Sequence, residues 1–252
     1  MKKNIIKAIA ILLCTSSIIS YAGPATVMAA EETPIVENAD VNQTRENLTI
    51  EEGSFNEGSY VYTYDENGTH YKVVEETDAS FQNVTSYTYT VNEQGDCSLV
   101  KTVQSYIDGG NVIIETTTPD GQTNVETISP QPARIIPYSD GTTGEWVTQT
   151  FDSKLYIKGS PIATIAQLLF MALGVVLAEK LPSKLLVIAE ALFNRNSEYV
   201  YTHETYSYML SDTNQFVIVR EAVSAMYFLD SAHKYYLDSY YDEFDGRGVI
   251  IS

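Results

Sequence analysis

Three histidines (His70, His203 and His233) and two cysteines (Cys14 and Cys97) are the side chains of this 252-residue sequence best suited to acid–base, nucleophilic or metal chemistry. His203, Glu204 and His233 offer imidazole and carboxylate groups. With one histidine per strand and no paired spacing, they read as solvent-facing strand residues, and His70, which follows a hairpin turn, reads the same way. Cys97 follows Gly95 and Asp96 at a turn, without the Cys-His signature of a nucleophile. Cys14 and Cys97 are too few and too far apart for a disulfide scaffold or a thiolate metal site. Asp242, Glu243 and Asp245 lack the spacing and closing glutamate of a calcium loop, and no glycine loop of the phosphate-cradling kind is present. These residues predict no catalytic group, no cofactor and no metal, hence a protein that is not an enzyme. The 33 acidic against 15 basic residues, a formal charge of −18, exclude nucleic acid as a partner, because phosphate binding needs clustered Lys and Arg.

The most informative chemistry is apolar. Ser160-Pro161 opens a run, 162–178, of 17 residues with no charge and only Thr164 and Gln167 as polar side chains. Serine as N-cap with proline in the first turn predicts a helix start. Glu179-Lys180-Leu181-Pro182 ends the run, and Ser183 caps a second, amphipathic helix predicted over 184–193. The candidate membrane-active residues are Ile162, Ile165, Leu169, Phe170, Leu173 and Val176 on the first helix, with Leu185, Ile188 and Leu192 on the second. A helix apolar all round belongs in a packed core or a membrane, and 17 residues give ~26 Å, marginal for a span. Both readings stand: the hairpin is the core of an α+β domain, or it inserts into a target membrane after release.

Several segments must position it. Residues 1–30, with Lys2, Lys3 and Lys7 before a short apolar stretch and Ala29-Ala30 before Glu31, predict a secretory signal cleaved near Ala29 or Ala30. An uncleaved membrane anchor is the alternative, disfavoured by the break at Thr15-Ser16-Ser17. Removing three lysines takes −18 to −21 and leaves Cys97 as the sole cysteine. Residues 31–56 read as a disordered acidic leader. From 57 to 128, alternating Tyr, Val and Thr between Asn-Gly and Asp-Gly turns predict an acidic β-meander. It repeats at a spacing of 27: Ser59 over Ser86, Glu66 over Glu93 and Gly68 over Gly95, one hairpin per unit. Five or six strands are expected, with acids on both faces of a thin, solvated sheet. The Pro- and Gly-rich stretch 129–144 predicts a linker. Residues 145–245 predict an α+β domain, a four-stranded sheet covering the hairpin, and 246–252 a tail. The fold class expected is therefore α+β, mostly β: an antiparallel β-meander, then a four-stranded antiparallel sheet packed on a helical hairpin. Charge divides the same way: 31–128 carries 19 acids and three bases, net −16, and 129–252 carries 14 and nine, net −5.

The order of these parts resembles the large secreted bacteriocin precursors of Gram-positive bacteria, of the geobacillin type. The likeness covers mainly 145–245, with Gly159-Ser160-Pro161-Ile162-Ala163 leading the hairpin and Tyr-rich strands behind it. The resemblance implies export, activation by an extracellular processing protease, a toxic action on the membrane or envelope of target cells and a dedicated immunity protein. The net negative second half departs from the cationic character usual in small bacteriocins. The competing expectation is a non-catalytic secreted binding or cell-envelope module whose Tyr-rich sheet faces make the contacts.

Overall fold

A computed structural model describes residues 45–54, 58–78, 80–130, 144–174, 182–211 and 218–245. The signal, most of the leader, 131–143 of the linker and the tail lie outside the described residues.

The chain is mostly β, as its alternation requires. Strands β1 (Glu46–Ser54), β2 (Ser59–Glu66), β3 (Thr69–Thr77), β4 (Asn83–Val91), β5 (Cys97–Asp108), β6 (Asn111–Thr117) and β7 (Thr123–Ile128) form an antiparallel sheet in sequential order. The 27-residue period is the hairpin period. Gly68, Gly95 and Gly121 turn β2 into β3, β4 into β5 and β6 into β7, each at positive φ, the conformation that tight turns ask of glycine. β1 departs from expectation: residues 46–54, read as the end of a disordered leader, pair along β2. Pairing to a neighbouring strand stabilises an acidic segment that has no helical or strand period of its own.

A second antiparallel sheet has the order β11-β10-β9-β8, from β8 (Trp146–Tyr156), β9 (Tyr199–Leu210), β10 (Ile218–Phe228) and β11 (Tyr236–Asp245). Between β8 and β9 come helices α1 (Ile162–Ala172) and α2 (Ser183–Asn194). Pro161 and Pro182 are the N-caps, so the helices start one residue after the prolines, and neither Ser160 nor Ser183 caps with its side chain. Helix α1 is also shorter than the predicted 162–178. Its last turn tightens through Leu173 and Gly174, whose N–H groups donate to Phe170 and Met171 carbonyls, and Gly174 takes φ +61°. A left-handed glycine is the usual way out of a helix.

The core joins the two sheets and the hairpin into one apolar cluster. From the meander come Tyr62, Val73, Val103, Val112 and Ile114; from the second sheet Val200, Tyr208, Val223, Tyr227 and Phe244. The meander is therefore not a thin sheet solvated on both faces: alternate residues of β2–β6 are buried.

Candidate functional site

Every side chain of α1 is buried, and the candidate residues Ile162, Ile165, Leu169, Phe170 and Leu173 meet Leu185, Ile188 and Leu192 of α2 in the common core. Val176 lies outside the described residues. Burial of each large aliphatic side chain contributes about 1.5–3 kcal/mol, so the hairpin is a principal source of cohesion.

What the sequence did not disclose is how the hairpin's polar groups are met. The N-terminus of α1 has no acidic residue in its first turn and no side-chain cap of its own. Glu75 of β3 supplies the acid instead. Its Oε2 accepts the Ala163 N–H at 2.9 Å, and the Ile162 N–H donates to the Tyr62 hydroxyl at 3.3 Å. Tyr62 and Ser86 donate to Glu75 Oε1 at 3.1 and 3.4 Å. Glu75 is fully buried. Burial pushes its carboxyl up to about 8, against the opposing pull of these hydrogen bonds, and burial with the nearby Glu75 raises the Tyr62 phenol well above its ordinary range. The two polar side chains of α1 also address the meander. Thr164 shares a 3.0 Å hydroxyl contact with Ser105, and Gln167 Nε2 donates to the Phe81 and Gln82 carbonyls at 3.0 and 3.1 Å.

The C-terminus of α2 receives the complementary treatment. Arg45, just before β1, donates from its backbone N–H to the Asn194 carbonyl at 2.8 Å and from Nη1 to the Phe193 carbonyl at 3.0 Å. Its guanidinium lies 3.8 Å from the Phe193 ring centroid and 3.7 Å from Glu66. A cation at a helix end matches the helix dipole. Midway along α2, Tyr60 donates to Glu190 at 2.5 Å.

The titratable residues singled out in the sequence are dispersed. His70 contacts Asp65 at 2.6 Å beside the β2–β3 turn, and Cys97 is an exposed free thiol at the start of β5. Asp242, Glu243 and Asp245 are strand residues of β11, where Glu243 pairs with Arg220. Glu204 points inward, accepting from Ser153 at 3.0 Å and Thr202 at 2.7 Å, whereas its neighbour His203 points outward. His233 is not a strand residue: it sits in the β10–β11 turn at φ +55°. Among the described residues one group could hold a metal ion, Asp152, His203 and His233, whose ligand atoms lie within 4.8 Å of one another. On the same outer face, Tyr156, Tyr199 and Tyr201 form a row with centroid spacings of 5.3 and 6.4 Å, and Lys154 lies 3.6 Å over Tyr199.

No family model, curated protein or solved structure matches the chain.

Proposed function

We propose that the chain is a secreted bacterial antimicrobial precursor of bacteriocin-like character, in which the second half acts on target-cell membranes after proteolytic release from the acidic meander. One observation carries this reading: an uncharged helix, buried on every side, has its N-terminus, its Thr164 hydroxyl and its Gln167 Nε2 all bonded to the meander. The key contact is a buried carboxyl whose partners are two hydroxyls and a backbone N–H, none of them cationic. Burying such a group is costly, and the cost falls at the contact between meander and hairpin. No helix of the described residues is long and apolar enough to cross a membrane. At 11 residues, α1 spans ~16 Å, so the hairpin would lie in the interfacial region, apolar α1 inward and amphipathic α2 along the surface.

Dye-loaded vesicles and sensitive Gram-positive cells, exposed to the whole chain and to chain cut within 129–144, test the proposal. Leakage and killing are expected from the second half once it has parted from the cut meander, and not from the intact chain. The proposal fails if no fragment containing 161–193 permeabilises either target.

The Tyr156–Tyr199–Tyr201 row favours a second reading, a cell-envelope binding module with the hairpin as plain core. The three rings are half-buried on the outer face, and aromatic faces stack on apolar sugar surfaces while the phenol tips bond polar groups. Under that reading, cell-wall polysaccharide retains the intact chain, Tyr199→Ala releases it, and cutting within 129–144 produces no leakage.

A further inference from the structure

We propose that Asp152, His203 and His233 form a binding site for a divalent transition metal, with Zn2+ the leading occupant. The three residues come from three elements that only the folded second sheet brings together. Asp152 on β8 and His203 on β9 are direct partners across the strand pair, on the face turned away from the hairpin. His203 Nδ1 lies 2.7 Å from Asp152 Oδ1. His233 arrives from the β10–β11 turn, its ring centroid 6.2 Å from that of His203.

His233 is held in place. Its ring stacks on Phe228 with centroids 4.5 Å apart and an interplanar angle of 19°. The Asp230 carboxylate accepts from the Ala232, Lys234 and Tyr235 N–H groups, and the Asp230 carbonyl accepts from the His233 N–H. The turn is thereby fixed around the one residue whose side chain faces His203.

Two imidazoles and one carboxylate are a ligand set that suits zinc and its neighbours better than the hard cations Ca2+ and Mg2+, which take oxygen ligands. Tetrahedral zinc with ligands at 2.0–2.2 Å places its ligand atoms about 3.3 Å apart. The present separations, within 4.8 Å, reach that value by side-chain rotation at the exposed Asp152 and half-buried histidines. Three protein ligands leave at least one position open to solvent, the coordination of an exchangeable rather than a closed structural site. The site lies beside the Tyr156–Tyr199–Tyr201 row and does not depend on the hairpin, so it stands whichever reading of the hairpin holds.

Titration of the whole chain with Zn2+ by calorimetry, and with Co2+ by visible absorption, in millimolar Mg2+ to occupy scattered surface carboxylates, tests the site. One ion per chain is expected, with a Co2+ ligand-field band that Zn2+ abolishes. His203→Gln and His233→Ala are each expected to weaken binding at least about tenfold. His70→Gln and Cys97→Ser, at the other histidine of the described fold and its free thiol, should leave binding unchanged. Thermal melts in a chelator should match for His203→Gln, His70→Gln and Cys97→Ser, whose side chains lie outside the core, while His233→Ala, which also loses the Phe228 stack, melts lower; His203→Gln therefore carries the test free of any loss of stability. Absence of a stoichiometric Zn2+ heat, or binding indifferent to His203→Gln and His233→Ala, overturns the proposal.

Discussion

At the scale of single residues, Glu75 makes the most specific demand on experiment. Its carboxyl sits at about 8 in the fold against an ordinary 4.5, burial being the cause. The folded chain therefore holds a proton that the unfolded chain releases. The associated stability is complete below about pH 4.5 and is lost as pH rises through 8, levelling off above it. Glu75→Gln keeps an acceptor for the Ala163 N–H and the shape of the side chain. Its denaturation midpoint is expected to be nearly flat over pH 5–9, where the parent loses a few kcal/mol; urea titrations at several pH values would show it. Tyr62 and Tyr60 are the other titratable groups felt at Glu75, and both phenols are raised by burial, so neither ionises in that window. Arg45→Ala strips the guanidinium from the Phe193 carbonyl and ring and should cost about 2 kcal/mol. Neither role was legible in the sequence. Glu75 stands next to Glu76 in an acidic strand, and only the inward parity shared with Val73 distinguishes it. The contact it serves is 88 residues away. The metal group was hidden for the same reason: His203 and Asp152 are 51 residues apart, and strand register, not spacing, brings them together.

At the scale of elements, alternation and turn chemistry carried most of the fold. The Tyr-Val-Thr runs, the 27-residue repeat and the proline-led helix starts are local signals, and the strands and helices follow them to within a few residues. β1 was not legible because its order comes from pairing with β2. Gly53 shows how close that pairing is. A β-carbon built on it would lie 2.1 Å from the Ser59 carbonyl oxygen, and its φ is +86°. Gly53→Ala is therefore expected to detach the end of β1, read as faster amide exchange across 46–54 with the rest of the meander still protected. In the hairpin, Leu169→Ala removes a fully buried side chain of the common core and should cost about 3 kcal/mol, the usual price of a core cavity.

For the whole molecule, two sheets and the hairpin share one apolar cluster, which bears on what cutting within 129–144 would do. Severing the chain leaves the meander's contacts with α1 and α2 in place. The two pieces should co-elute in size-exclusion chromatography at pH 6 and begin to separate near pH 9, where Glu75 carries its charge inside the core. Co-elution at both values would mean that the carboxyl contributes little to holding the halves together. The acidity of the sequence also takes on a different meaning at this scale. Most of the negative charge lies in the segment that caps and covers the helices, while the helix at the centre carries none.

Trp146, the sole tryptophan among 19 tyrosines, opens β8 beside the stretch that joins the two halves, half-exposed with the Arg220 guanidinium 5.8 Å from its ring. The molecule thus contains its own optical gauge. Excited beyond the tyrosine band, the single indole reports on the edge of the second sheet alone, where it lies opposite Met209 and beside Arg220. Unlabelled protein can therefore be followed in real time as that edge responds to cutting within 129–144.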